Sequence, residues 1–193
     1  MKQEKFKKIG FCICGSFCTI SRAIEQMLIL KDKNYEIVPI VSEIVFKTDT
    51  RFGKSQDIIR EIENICQKKV IRTIKEAESI GPKNLTDVML VAPCTGNTLS
   101  KLANAITDTV VTMSVKSHLR GQKPVLIALA TNDALAASVK NLGNLMNRKN
   151  YFFVPMVQDD TIKKPTSLVA DFEKIPKAVE NAFFRKQTLP MFI

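Results

Sequence analysis

Apolar residues fall along this chain in short unbroken runs, and the stretches between them carry a helical period. Ile9–Cys14 is the first run, closed by Gly15–Ser16. After it, Ile20, Ile24, Met27 and Leu28 place their side chains on one face of a helix over Ile20–Leu30. Glu36–Val41 reads as a second strand ending at Ser42, and Ile58, Ile59, Ile62, Ile65 and Cys66 mark a helix over Asp57–Cys66. Val70–Ile74 reads as a short strand, and Asp87–Ala92 as a buried strand closed by Pro93. Helices are expected at Gly96–Asn104 and Asp108–Leu119, a strand at Pro124–Ala130, and a helix at Leu135–Met146. Phe152–Pro155 is a late strand, and Leu168–Phe184 a terminal helix.

Strands that are continuously apolar and alternate with helices belong to a parallel sheet covered on both faces. The expected fold is therefore α/β, a Rossmann-like doubly wound parallel sheet with helices on both faces. No internal repeat or low-complexity linker interrupts the pattern, so residues 1–193 are expected to form one domain. Ligands of such sheets bind beyond the carboxyl ends of the strands. That singles out four loops: Cys14–Thr19, Ser42–Lys54, Pro93–Thr98 and Thr131–Leu135.

Composition narrows the function classes. An apolar share of 45% and a charged share of 25% are those of a globular protein, with disorder expected only at Met1–Lys8. No apolar stretch reaches the roughly 20 residues of a membrane span, and the Lys-rich start lacks the apolar core of a signal peptide. The expectation is a cytoplasmic protein. Five cysteines, an odd number, favour reduced thiols over a disulfide framework. Cys12, Cys14 and Cys18 do not have the spacing of a tetrahedral metal site, and His118 is the only histidine, so no metal is expected. The net charge of +10 is scattered, with small groups at Lys2–Lys8, Lys68–Arg72 and Lys163–Lys164. Such a surface steers anionic small molecules or an acidic partner. With no Trp, two Tyr and no basic helix interleaved with aromatics, nucleic acid is not expected.

Two loops hold the candidate chemistry. In Gly15–Ser16–Phe17–Cys18–Thr19 a strand turns into a helix, whose free amides and positive dipole end suit a phosphate. Gly15 allows close approach, while Ser16 and Thr19 supply hydroxyls; the same residues also read as an ordinary capped turn. Neither the dinucleotide glycine fingerprint nor the Walker lysine is present. Cys12 and Cys14, two apart, share one face of their strand and read as small buried hydrophobes. Cys18 stands near a helix start, where a thiolate is favoured, with no histidine near it in sequence. The second loop, Pro93–Cys94–Thr95–Gly96–Asn97–Thr98, gathers hydroxyls, an amide and a glycine that can hydrogen-bond a heterocycle or ribityl chain. A plain helix cap accounts for one of these polar residues and not for all of them.

The run Ala92–Pro93–Cys94–Thr95–Gly96–Asn97–Thr98, continuing through Lys101–Leu102–Ala103–Asn104 to Asp108, resembles the signature of the flavoprotein superfamily. That superfamily includes flavin-dependent cysteine decarboxylases and flavin prenyltransferases. Within it the whole chain is most similar to the B-subunit family of dipicolinate synthases. Thr50–Arg51–Phe52–Gly53, Gly81–Pro82–Lys83, Phe152–Phe153–Val154–Pro155, Gln158–Asp159–Asp160 and Lys163–Lys164–Pro165 support it. The resemblance implies an FMN fold, often homo-oligomeric, and a role in making dipicolinic acid in the mother cell of a sporulating bacterium. It implies a partner, the A subunit, similar to nucleotide-dependent dehydrogenases and carrying the NAD(P)-linked oxidation. Gly15 and Ser16 match the family's phosphate loop, Ser42 its hydroxyl after the second strand, and Thr95, Asn97 and Thr98 the loop that holds the flavin; Cys94 and Thr131 are further cofactor-binding candidates.

The chain also departs from the pattern. Decarboxylases of the superfamily use an early histidine base and a late Pro-x-Met-Asn clamp. Here no histidine precedes His118, and Thr131–Asn132–Asp133–Ala134–Leu135 stands where the clamp belongs. Cysteine decarboxylation is not expected without that base. A small cyclic dicarboxylate suits an Arg fork with a Lys point charge, and Arg51, Lys116 and Arg120 are the candidates. The expected function is the conversion of dihydro- or hydroxytetrahydro-dipicolinate together with the A subunit. The alternatives are a stand-alone FMN-dependent decarboxylase or transferase, and a non-catalytic chain that binds substrate and has lost its flavin.

Overall fold

The structure, a computed structural model, describes residues 7–193; Met1–Phe6, most of the Lys-rich start, lie outside the described residues. From the amino end the chain forms β1 (Lys8–Ile13), α1 (Ile20–Asp32), β2 (Glu36–Val41), α2 (Glu43–Lys47), α3 (Ser55–Cys66), α4 (Ile74–Glu78) and β3 (Val88–Cys94). It continues through α5 (Gly96–Ala103), α6 (Val110–Leu119), β4 (Val125–Thr131), α7 (Val139–Met146) and β5 (Tyr151–Phe153). β6 (Met156–Val157), β7 (Leu168–Ala170) and α8 (Ile175–Phe183) complete it. Single 3-10 turns at Phe17–Thr19 and Phe172–Lys174 lead into α1 and α8.

The first five strands are parallel in the order β2-β1-β3-β4-β5. β4 serves two neighbours: Val125–Ile127 pair with β5, and Ala130–Thr131 pair antiparallel with β7, which carries β6 beyond it. The expected doubly wound sheet is present, with this antiparallel pair making it mixed. Strand alternation sorts the core into two layers. Ile9, Phe11, Ile13, Leu90 and Ala128 face α1, α3 and α8, whereas Cys12, Cys14, Val91, Ile127 and Leu129 face α5, α6 and α7. Both layers are fully buried and apolar, as a sheet covered on both faces requires.

The elements differ from the sequence reading where local capping overrides the apolar pattern. Leu168–Ala170 is a strand rather than the start of the terminal helix, because it pairs with the upper end of β4. Asp171 then accepts the Glu173 amide at 3.2 Å and opens a new turn, and α8 starts only at Ile175 with Pro176 in its first turn. Val70–Ile74 is not a strand: Ile71 alone bridges Ile40, and the Thr73–Glu76 capping box starts α4 at Ile74. α7 begins at Val139 rather than Leu135, since the Asp133 carbonyl holds the amides of Ala136 and Ser138 in turns. β3 runs through Pro93 to Cys94, with its register against β4 shifted between Val91 and Cys94, where Pro93 has no N–H for the ladder.

Candidate functional site

In the order 2-1-3-4-5 the chain leaves β1 toward one face of the sheet and β3 toward the other. In doubly wound folds this reversal opens a crevice at the carboxyl ends of the strands, where ligands bind. The crevice is bounded by the Gly15–Thr19 and Thr95–Thr98 loops, which meet at their bases. The Cys14 amide donates to the Pro93 carbonyl at 3.3 Å, and Thr98 Oγ1 donates to Cys14 Sγ at 3.4 Å.

The β1 loop is shaped by short bonds of its own. Ser16 N–H donates to the Cys14 carbonyl at 2.9 Å, and Thr19 N–H and Oγ1 donate to the Ser16 carbonyl at 3.0 and 2.9 Å. Thr19 is buried and supports Ser16, also bonding its Oγ at 3.1 Å, so it does not face a ligand. Neither Ser16 nor Thr19 caps its helix through its side chain. Gly15 lets the loop pass close to the short helix α2: a Cβ there would lie 2.8 Å from Ile44 Cγ2, so the exposed Ile44 side chain would have to move. Ser42 ends β2 beside this loop, its N–H donating to the Ile13 carbonyl at 3.0 Å. Its Oγ is buried and has no hydrogen-bond partner, an unusual state for a hydroxyl.

The β3 loop is a built helix start. Thr95 caps α5 by accepting the Thr98 amide at 3.2 Å, and its own hydroxyl donates to Thr98 Oγ1 at 3.2 Å. Asn97 is exposed in the first turn of α5, and Thr98 is buried beneath it. Cys94 is buried under the loop with Cys12 and Cys14, so it supports the loop rather than facing a cofactor. Burial pushes the thiols of Cys12 and Cys94 well up and that of Cys14 to about 11, so all three are neutral hydrophobes. Cys18 alone is exposed.

Thr131 lies at the same edge, but its hydroxyl donates to Asp133 Oδ1 at 2.6 Å. Ser138 donates to Asp133 Oδ2 at 2.9 Å, and a Cβ on Gly96 would meet Thr131 Oγ1 at 2.7 Å and Asp133 Oδ1 at 3.0 Å. Asp133 is therefore the hub that seats the start of α5 on the end of β4. Sequence reading missed that role, although an Asp two residues beyond a strand is a turn signal. It also missed Ile44, whose helix α2 is too short to show a period.

The three basic candidates separate. Arg51 lies in the loop after β2, on the crevice side of the sheet. Its tight turn is closed by Thr50 and Gly53, which exchange N–H···O bonds of 3.0 and 3.1 Å. Its guanidinium lies 4.9 Å from the centre of the Phe52 ring. Lys116 and Arg120 stand at the end of α6, which leads into the amino end of β4, and so lie at the opposite edge of the sheet. His118 is structural: it is buried, with Nδ1 2.8 Å from Thr86 Oγ1 and Nε2 2.9 Å from the Pro124 carbonyl. Burial brings its pKa down to about 4.

Three features of the crevice suit a flavin mononucleotide. The first turn after β1 offers helix-start amides for a phosphate, Ser42 has an unused buried hydroxyl, and the Thr95–Thr98 loop brings polar groups without charge. Among the described residues, no group of three His, Cys, Asp or Glu could hold a metal ion, and no helix is long and apolar enough to cross a membrane.

The Flavoprotein family model matches residues 1–182. The dipicolinate synthase B subunit of Bacillus subtilis (strain 168) is 41% identical over 193 residues, which is 100% of this chain and 96% of that protein. The crystal structure of the dipicolinate synthase B subunit from Bacillus halodurans has a TM-score of 0.89 at 41% identity, covering 97% of this chain and 96% of the other. An FMN-dependent cysteine decarboxylase at 20% identity has the same fold, with a TM-score of 0.68 over 93% of this chain and 96% of its own. This chain belongs to the Flavoprotein family and, within it, to the group of dipicolinate synthase B subunits.

Proposed function

We propose that this chain is the flavin-holding half of a two-subunit enzyme that makes dipicolinic acid, working with a dehydrogenase-like A subunit that carries the NAD(P) chemistry. One observation carries the reading: a buried, unpartnered hydroxyl on Ser42 beside a phosphate-type turn at the β1/β3 switch. In this reading the turn at Gly15–Ser16 takes the phosphate, Ser42 bonds the ribityl or phosphate oxygens, and Thr95 and Asn97 bond the ring system, with Thr98 buried beneath them as the support of the loop. Thr131 holds Asp133 in place beneath them, and Cys94 packs under the loop. FMN bound there would supply a two-electron acceptor for a dihydro- or hydroxytetrahydro-dipicolinate, with NAD(P) on the A subunit as the final acceptor of that same electron pair. Arg51, on the same side of the sheet, anchors a substrate carboxylate through its fork. Lys116 and Arg120 have no part in this site, because α6 carries them to the other edge. The protein is one domain and self-associates.

A second reading has its own support. The only histidine is locked between Thr86 and Pro124, so no imidazole base serves the crevice. A chain that holds substrate for its partner without redox chemistry of its own fits that fact. Turnover of the A subunit, measured alone, with the flavin-free chain and with the flavin-loaded chain, tests both readings. The main reading expects a rise only with the loaded chain. It also expects Arg51→Ala to raise the KM for the dicarboxylate about tenfold or more while kcat changes little. Equal stimulation by both forms would establish the second reading, and no stimulation by either would reject both.

A further inference from the structure

At the amino edge of the sheet, away from the crevice, α5, α6 and the segment between α7 and β5 enclose a half-open pocket of about 600 Å³. Its walls are mostly apolar, from Leu102, Ile106, Val115, Leu119 and Tyr151, with Thr112 and Gln122 among the uncharged polar groups beside them. Its charged lining residues are all cations: Lys116, Arg148 and Lys149. Arg148 is committed, donating to the Leu102 carbonyl at 3.4 Å and the Ala103 carbonyl at 2.6 Å, where it stabilises the negative end of α5. Lys116 and Lys149 are exposed and make no ion pair among the described residues. A mostly apolar cavity of ligand size, with two unpaired ammonium groups and no carboxylate in its lining, has the chemistry of a site for an anion with an apolar body.

We infer that this pocket is a second ligand site that takes a planar aromatic carboxylate, with the ring against Leu102, Val115 and Tyr151 and the carboxylate between Lys116 and Lys149. The size favours such a small molecule: about 600 Å³ lies within the range of small-molecule pockets. The site is separate from the crevice, since α5 starts at Gly96 on the carboxyl edge and ends at Ala103, roughly 12 Å away along its axis. It therefore does not depend on flavin binding.

The probe is 2-naphthoate, followed by saturation-transfer NMR on the full chain with and without saturating FMN. Binding is expected in both conditions. It should weaken about tenfold or more in Lys116→Glu/Lys149→Glu, the size expected for losing a hydrogen bond to a charged group. Neutral 2-naphthamide should bind weaker than naphthoate by a similar factor. Both lysines are exposed, and an unchanged circular dichroism melt is expected to show the variant folded. Displacement of naphthoate by FMN would place it in the crevice and overturn the inference. Equal affinity for the charge-reversed variant, or for the neutral amide, would overturn it as well. Absence of naphthoate binding also overturns it; if the double variant then sediments differently, the face is an interface between copies.

Discussion

Ser42 Oγ is held out of water with nothing to bond, which costs about 1–3 kcal/mol in a protein interior. A ligand oxygen placed there would recover that cost. The expectation for Ser42→Ala is therefore two-sided. Without flavin the variant should be as stable as the parent or up to about 1 kcal/mol more stable, because an unsatisfied group has been removed. With FMN it should bind about five- to tenfold more weakly. Thermal melts with flavin titrations measure both, and a destabilised variant with unchanged flavin affinity would show that Ser42 is structural. His118 gives a contrasting case at the same scale. Nε2–H donates to the Pro124 carbonyl, so Nδ1 accepts from Thr86 and the ring is neutral. Its folded pKa of about 4 lies below the usual 6.5, so the unfolded chain binds more protons between those values. The stability it contributes is present above pH 6.5 and is lost as pH falls toward 4, about 3 kcal/mol over the window. His118→Gln should flatten that part of the melting-temperature profile relative to the parent, and an unchanged acid slope would contradict the assignment.

α5 is the element on which the site depends, because Thr95 caps it and Gly96 seats it on the Thr131–Asp133–Ser138 cluster. Gly96→Ala would drive a Cβ to 2.7 Å from Thr131 Oγ1, which is fixed by its bond to Asp133. A loss of about 1–3 kcal/mol is expected from such overpacking, together with weaker flavin binding, measured by denaturant unfolding and titration. A variant as stable as the parent would mean that the contact is slack. Elements of this kind were legible in the sequence: β2 lies where the apolar run placed it, and α5 differs by a single residue at its end. Leu168–Ala170 was not legible, since three apolar residues before a helix carry no sign of the partner that makes them a strand. α2 was missed because Glu43–Lys47 is shorter than two turns and shows no repeat. Val70–Ile74 misled because β-branched residues fit a strand, yet only Ile71 reaches the sheet and the capping box of Thr73 and Glu76 ends the extended stretch by starting α4 at Ile74.

At the scale of the molecule, strand order decides which candidates can act together. The loops after β1, β2 and β3 were identifiable as sites from the βα alternation, and the structure brings Gly15, Ser16, Ser42, Thr95 and Thr98 to one edge. In sequence Arg51 stood out from Lys116 and Arg120 only by lying in the Thr50–Gly53 segment rather than on a periodic helix, and the direction of α6 shows that the other two end at the other edge. The scattered charge of +10 has a matching consequence, because both edges carry basic residues and each favours an anion. In the proposed function the β1/β3 crevice holds a flavin by its phosphate. Titration of the purified chain with FMN and with riboflavin, followed by flavin fluorescence and visible absorbance, tests it most directly. Saturable binding of one FMN per chain is expected, with perturbed flavin bands and about tenfold or weaker affinity for riboflavin, which lacks the phosphate. Absence of saturable FMN binding, or equal affinity for the two flavins, would contradict it.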